Sequence, residues 1–493
     1  MSIQLGGLAV PLLVAVAAVV VLLLDAFLPD RAKIGVVWVG VVALGVAFVG
    51  TVPLLWSGAK AFCRPGGVVT CAYDLAPYGA MLHLVLLAGA AAVLLLSVRS
   101  IAEEDIPPGE YTFALLCSVT GALVLTAAGD LATLVVGLET LSLPVFAMVA
   151  LRGRDRVGSE AALKLFLVSV ASTALMLFGV SWIYAVRGSL WLADLARDFE
   201  VDPQLRPVLV VGIVLTVLGF GFKVAAVPFH AWAPDTYAGA PMPVAAYLAV
   251  VSKVGGFAGL VVLLGRGLGP YAEAWAPMLA VVAALTMTAG NVVALRQRTA
   301  IRLLAWSSIA QAGYALAPFA GGGRRFAGID PLAAPVTYMV AYAAMTMAAF
   351  AVVVAVTRDQ PSGRLDDYRG LLWRHPARGV VLVLALVALA GLPPGLVGLF
   401  AKVAVFRAVV SGGAGWLAVL MAVNVVIALY YYLSWAVLVV SPPAREVVPA
   451  PATPATPAPI GAAIALSATA VVLLSAVPQL VFAARTLFPL ASP

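Results

Sequence analysis

The chain has 493 residues, of which 63% are hydrophobic and only 10% charged, where a soluble globular protein carries roughly 25% charge. A mean hydropathy of +1.08 excludes a soluble enzyme, and the recurrent apolar runs, each about 20 residues long, describe a polytopic membrane protein. The net charge of +7 is scattered over short loops rather than gathered on one basic face, which argues against nucleic acid as a partner.

The first predicted span, about 7–28, has no basic segment before it and is followed at once by a second at 35–55. That is the pattern of a retained helix, not a cleaved signal. The next loop, AFCRPGGVVTCAYD, holds Cys63 and Cys71. Their spacing suits neither zinc nor an iron–sulfur cluster, and on an oxidising face the pair is a candidate disulfide. Further spans are expected at about 79–98, 111–128, 131–151, 160–186, 207–227, 243–266, 274–294, 301–319, 334–356, 378–409, 415–439 and 460–484. Cys117 falls in one of them and reads as a small buried residue. Hydrocarbon offers no partner to a free N–H or C=O, so the spans must be helical. The expected fold is all-α, with about fourteen transmembrane helices. Segment 441–458, SPPAREVVPAPATPATPA, reads as an extended Pro/Ala linker.

Two spans are interrupted. The seventh runs into VPFHAWAPDTYAGAPMPV, and the twelfth carries Pro393–Pro394 and several glycines at its middle. Proline removes a helix donor and clashes one turn back, and a broken helix survives at membrane depth only where protein or a wet cavity covers the break. Two interrupted spans five apart suggest an inverted repeat with a site near the midplane. The domain reading is helices 1–3 over 1–110, a first repeat over 111–270, a second over 271–440, the linker over 441–459 and a last helix over 460–493. Alternate loops holding Arg31 and Lys33, Arg99, Arg152, Arg154 and Arg156, Arg296 and Arg298, Arg358, Arg364, Arg369 and Arg374, and Arg445 are the more basic set, and are expected in the cytoplasm. Both termini and the Cys63–Cys71 loop then face outward.

Inside the spans lie Glu139, Lys223, Lys253 and Lys402. A charge at the centre of a lone helix costs roughly 2.5–3.5 kcal/mol, so these groups must face one another or water. Snorkelling accounts for Lys164, four residues after Glu160 near a span start, but not for Lys223 or Lys253, which lie inside their spans. A lysine stripped of water gives up its proton more readily, and an approaching carboxylate reverses that; a unit pair about 4 Å apart interacts by roughly 4 kcal/mol. Glu139 with Lys223 is therefore expected to act as a switch on a proton path, with Lys253 and Lys402 as later stations. His230, where span seven ends, is a candidate shuttle or a loop histidine. Ser307, Ser308 and Gln311 in WSSIAQAGY are candidates either for holding water or for interhelical bonds. His83 and His375, near span ends, are given no chemistry.

No strand–GxGxxG–helix pattern, P-loop or cysteine cluster is present in the sequence, so no site for NAD, ATP, an iron–sulfur cluster or a metal is expected in this chain. The segments GLETLSLPVFAMVAL, SEAALKLFLVSVAST, GFKVAAVPFHAWAPDTYAGAPMPVAAYLAVVSKVGGF, ALRQRTAIRLLAWSSIAQAGY, LDDYRGL and ALAGLPPGLVGLFAKVAVF resemble the antiporter-like subunits of respiratory complex I, the bacterial NADH–quinone oxidoreductase, over about residues 110–440. Lysine at 402 resembles the subunit N branch, since the subunit M type carries glutamate there, and the end at 493 leaves no room for the lateral helix of the subunit L type. The resemblance implies fourteen helices in two inverted five-helix repeats, and proton translocation from cytoplasm to exterior across a bacterial inner membrane. Glu139, Lys223, Lys253 and Lys402 match the family's proton-transfer residues. Many relatives carry histidine where Gln311 stands, and glutamine cannot titrate. The resemblance also implies NAD, FMN, iron–sulfur clusters and quinone in the parent complex, with neighbours of the subunit K and subunit M types and membrane lipid as partners. The rival reading is an Mrp-type Na⁺/H⁺ antiporter subunit.

Overall fold

The computed structural model describes residues 5–64, 70–152, 155–197, 201–322, 332–443 and 456–487. Arg154, Arg324, Arg325 and Arg445, and residues 444–455 of the Pro/Ala linker, lie outside the described residues, as does the side chain of Arg485.

Twelve helices among the described residues are long and apolar enough to cross a membrane. In chain order the architecture is α1 (Ala9–Phe27), α2 (Gly35–Thr51), α3 (Pro77–Glu103), α4 (Pro108–Leu125), α5 (Leu131–Ala150), α6 (Arg156–Arg187), α7 (Arg206–Lys223), the short α8 (Trp232–Gly239), α9 (Met242–Gly267), α10 (Ala272–Ala294), α11 (Ala300–Leu316), α12 (Ala333–Asp359), α13 (Pro376–Ala390), α14 (Leu396–Ser411), α15 (Gly415–Val440), α16 (Ala458–Ala476) and α17 (Pro478–Leu487). Their starts follow local chemistry. Pro77, Pro108 and Pro376 open helices where the missing N–H is unneeded. Asp130 caps α5 by accepting from Thr133 N at 2.7 Å, and Asp155 caps α6 by accepting from Val157 N at 2.9 Å. Gly188 ends α6 at φ +65°, its N–H on the Tyr184 carbonyl.

Helices α9 and α12 form the centre. Each is 94% buried over its apolar window, whereas the other spanning helices range from 28% to 67%. They read as apolar all round because protein, not lipid, surrounds them. Helix α9 carries two π turns, Leu248–Ser252 and Leu263–Gly267.

The fold is mostly helical, as expected, with one small sheet in a loop. The loop after α2 forms an antiparallel pair, β1 (Ala59–Arg64) and β2 (Thr70–Leu75), with Cys63 directly opposite Cys71 and joined to it by a disulfide. Beyond the hydrocarbon, strand pairing satisfies the backbone as well as a helix does. The pair is tied down by Asp74 N–H on the Ala127 carbonyl at 2.7 Å and Gly129 N–H on the Ala72 carbonyl at 2.8 Å. A Cβ at Gly129 would sit 1.8 Å from the Cys71 carbonyl oxygen, so this approach requires glycine. Spans seven and twelve are interrupted, as expected, and only their bounds differ. Span seven stops at Lys223, not at 227, and resumes as α8; span twelve is α13 and α14, parted at Gly391–Gly395. The last span, expected to run to 484, ends at Ala476, and Pro478 starts the separate α17.

Candidate functional site

Both helix breaks satisfy their freed backbone with protein. After α7 the chain turns at Ala225, φ +56°. The N–H of Val227 goes to Thr286 Oγ1 on α10 at 3.0 Å, and Trp232 Nε1 donates back to the Phe222 carbonyl at 3.2 Å. Between α13 and α14 the glycines permit close packing: a Cβ at Gly398 would lie 1.7 Å from the Ala388 carbonyl oxygen. The last carbonyls of α13 are taken by a lysine. Lys402 Nζ donates to Leu389 O at 2.9 Å and to Ala390 O at 2.6 Å. An ammonium has three donors and no acceptor, and the C-terminal end of a helix presents carbonyls with partial negative charge. Lys402 therefore sits where a cation is welcome, 6% exposed, 5.8 Å from the ring of Tyr314.

At α7, Lys223 is the last helical residue and is 5% exposed. Its Nζ donates to Ser142 Oγ on α5 at 2.9 Å, and that hydroxyl donates to the Leu138 carbonyl at 2.6 Å. Glu139, three residues before Ser142 and so on the same side of α5, is only half-buried, and accepts from Thr173 Oγ1 on α6 at 2.6 Å. The expected acid–base pair is thus not in direct contact. The amine is held by Ser142 and the carboxylate by Thr173. Lys223 has room because Gly256 of α9 lacks a side chain: a Cβ there would come 2.8 Å from Lys223 Cγ. Gly256 is one turn from Lys253 on the same face.

Lys253, 1% exposed, donates to the Ser308 carbonyl at 2.7 Å and to Ser308 Oγ at 2.9 Å, and lies 6.0 Å from the Tyr342 ring. The preceding π turn disrupts the α-helical ladder, and Tyr342 donates to the Ala249 carbonyl within it at 3.0 Å. From Ser308 the polar line continues along α11. Ser307 is hydrogen-bonded to the Tyr432 phenol, and Gln311 donates to that same phenol at 3.0 Å. Gln311 also accepts from the Tyr338 hydroxyl and donates to Leu389 O at 3.4 Å. Leu389 O is one of the two carbonyls that Lys402 holds, so Gln311 and Lys402 meet on one backbone oxygen.

Among the described residues, none of Glu139, Lys223, Lys253 and Lys402 is in an ion pair. The closed ion pairs lie toward helix ends: Lys164 bridges Glu160 at 2.8 Å and Asp235 at 3.0 Å, and Arg302 reaches Asp235 at 3.3 Å. His230 lies in the break before α8, half-buried, its ring 5.6 Å from Trp306; no bond joins it to Lys223. His83 is fully buried, with Nε2 2.9 Å from the Leu123 carbonyl oxygen and 2.5 Å from Thr126 Oγ1. Sequence reasoning missed Ser142, Thr173, Tyr338, Tyr342 and Tyr432. It also missed a buried amide pair: Asn291 of α10 donates to Asn424 Oδ1 of α15 at 3.0 Å and accepts from Tyr431 at 2.9 Å. Buried asparagines in apolar runs were the available signal. No cluster of three potential metal ligands occurs among the described residues.

The family profile described as NADH:quinone oxidoreductase/Mrp antiporter, TM, matches residues 128–428. NADH-quinone oxidoreductase subunit N 2 of Streptomyces griseus is 48% identical over 448 residues, spanning 90% of this chain and 84% of its own. NADH-quinone oxidoreductase subunit N of Salinispora tropica is 45% identical over 448 residues, with 89% and 85% covered. A chain in the structure of respiratory complex I from Thermus thermophilus with bound aureothin superposes with TM-score 0.78 at 29% identity, over 96% of this chain and 98% of that one. A chain of the Mrp complex from a Dietzia species superposes with TM-score 0.81 over 99% and 98%, but at 21% identity it shares only the fold.

Proposed function

The chain belongs to the NADH:quinone oxidoreductase/Mrp antiporter membrane family, and from that membership we propose that protons cross it by way of its buried lysines. It is a membrane-arm subunit of NADH–quinone oxidoreductase, similar to subunit N of that complex, and it sits among that complex's other membrane subunits. In this proposal, a proton enters from the cytoplasm at the first half, passes between Lys223 and Lys253, and leaves outward from Lys402. The three lysines are the loading stations. The hydroxyls of Ser142, Ser308 and Tyr432, a group type that can both donate and accept, serve as joints between them. Glu139 controls the charge on Lys223. Gln311 orders the centre without titrating, and His230 is the relay toward the break of span seven.

The observation that supports this reading is that three lysines lie buried on uncharged partners, Lys223 on the Ser142 hydroxyl, Lys253 on the Ser308 carbonyl and hydroxyl, and Lys402 on the Leu389 and Ala390 carbonyls, without a carboxylate in ion-pair contact. Ionisable residues at such depth are rare and mark ion and proton pathways.

The finer architecture belongs to the same proposal. Spans seven and twelve each count once, giving fourteen, with helices 1–3 over 1–110, inverted repeats over 111–270 and 271–440, a linker over 441–459 and a last helix over 460–493. Both termini face outward from a bacterial inner membrane. Neighbours are of the subunit K and subunit M types. NADH, FMN, iron–sulfur clusters and quinone are handled by other subunits. The test is the proton-to-electron ratio of the intact complex in proteoliposomes. Lys223→Ala, Lys253→Ala and Lys402→Ala are each expected to lower it, and a parental ratio in all three assembled variants overturns the reading. Purification without flavin and iron–sulfur subunits, with Na⁺-dependent exchange, favours the Mrp-type alternative instead.

A further inference from the structure

Where the final turns of α15 meet the segment 364–374, the surface opens into a groove of about 660 Å³, lined by Arg369, Tyr430, Leu433, Ser434 and Val437 among others. That volume is within the roughly 300–1,000 Å³ typical of small-molecule sites. The rim is held in place from three directions. Gly370 N–H donates to the Leu438 carbonyl at 3.1 Å, Trp373 Nε1 donates to the Val440 carbonyl at 2.9 Å, and Arg374 donates to the Arg369 carbonyl at 3.0 Å. Arg369 is thereby fixed beside Leu438, one turn or about 6 Å from Ser434.

The guanidinium of Arg369 is exposed and, among the described residues, has no hydrogen-bond or ion-pair partner. The nearby carboxylates are engaged elsewhere: Asp366 pairs with Arg364 at 3.2 Å, and Asp367 accepts from Arg364 N at 2.8 Å and from Ser362. Ser434, exposed on α15, likewise has no described partner. Below the rim the groove is apolar, with Tyr430 68% and Val437 63% exposed. Trp373 is 66% exposed, and exposed Trp and Tyr mark the level of the membrane boundary.

We propose that this groove binds an anionic phospholipid, with its phosphate on Arg369, an ester oxygen on Ser434, and an acyl chain along Tyr430, Leu433 and Val437. A planar five-donor cation with no carboxylate paired to it among the described residues complements a phosphate. A hydroxyl one turn deeper is at the depth of the ester groups, and the apolar floor takes a hydrocarbon chain. The site rests on α15 crossing the membrane and is independent of the proton route.

The test uses the intact complex in nanodiscs carrying either photoactivatable phosphatidylglycerol or photoactivatable phosphatidylcholine, with labelled peptides mapped by mass spectrometry. Phosphatidylglycerol is expected to label 429–437. Arg369→Gln should lower that labelling about fivefold, the weight of one basic residue near an anionic headgroup, while electron transfer stays at the parental rate. Arg369→Lys should keep most of it, and phosphatidylcholine should label no better than the Gln variant. Ser434→Leu, which fills the groove without touching the loop, should lower labelling even where Arg369→Gln assembles poorly. Equal labelling by both lipids, or labelling unchanged in both variants, overturns the proposal. Competition by millimolar inorganic phosphate reassigns the site to a free anion, and a neighbouring subunit's helix found in the groove reassigns it to a protein contact; either result overturns it.

Discussion

Replacing Lys402 by arginine separates two roles that the structure gives this residue. Its ammonium closes the Leu389 and Ala390 carbonyls at the end of α13, at 2.9 and 2.6 Å, and it is the proposed last station for a proton. A hydrogen bond from a charged donor contributes about 1.5–3 kcal/mol, so the two bonds together are worth roughly 3–6 kcal/mol to the break. Lys402→Met keeps the chain length but leaves both carbonyls without that donor. Assembled complex should fall, and thermal loss of activity should move to lower temperature. Lys402→Arg restores the donors and the charge, yet a guanidinium does not give up its proton in a protein. The fit is close, since Lys402 Cδ lies 3.0 Å from where a Gly391 Cβ would be, so assembly is measured alongside by the yield of intact complex. The expected result is near-parental assembly and electron transfer with a lowered proton-to-electron ratio in proteoliposomes. A parental ratio in Lys402→Arg would refute proton cycling at this lysine and leave it a helix cap. Parental stability in Lys402→Met would instead refute the capping argument.

Glu139→Gln and Lys223→Ala should each remove most of the pumping, with the double variant little worse than either; losses that multiply indicate independent sites. Ser142→Ala, which deletes the hydroxyl that accepts from Lys223, should lower the proton-to-electron ratio without preventing assembly, and an unchanged ratio removes Ser142 from the path. Gly256→Ala places a methyl 2.8 Å from Lys223 Cγ. Overpacking of this kind costs about 1–3 kcal/mol, so the variant should disturb Lys223 and reduce pumping more than Gly461→Ala, where nothing lies within 4 Å; equal effects count against it. Cys63 and Cys71 should resist alkylation in intact cells until reductant is added. Their bridge, closing a loop of 8 residues, should contribute about 2–3 kcal/mol, read as a lower melting temperature in Cys63→Ser with Cys71→Ser.

The spans, their two interruptions and the four intramembrane charges were legible because each is a local departure from an apolar background: length, a proline pair, a lysine. The partners of those lysines were not. Lys253 binds the Ser308 backbone carbonyl and Lys402 binds those of Leu389 and Ala390, and a carbonyl has no letter in a sequence. Tyr338 and Tyr432 reach Gln311 from helices that only the fold brings together. The coupling of Glu139 to Lys223 follows from opposite charges in one half of the molecule, but the distance between them in the fold does not. The side-chain directions on α5 place Ser142, not Glu139, against the amine. The hairpin between α2 and α3 was missed because a short polar loop gives too little alternation to announce two strands.

The π turn at Leu248–Ser252 means that α9 holds a surplus residue just before Lys253. A helix advances about 100° per residue, so the angular position of everything beyond the turn depends on whether that residue is accommodated there. Removing one residue from 248–252 would let the helix close up into regular α turns, rotating Lys253 by about 100° relative to Tyr247. The amine would then point away from Ser308 while the sequence around it stayed almost the same. The alignment of the central lysine with the second half of the molecule is thus an indexing problem, solved by the number of residues in the helix as much as by their identity.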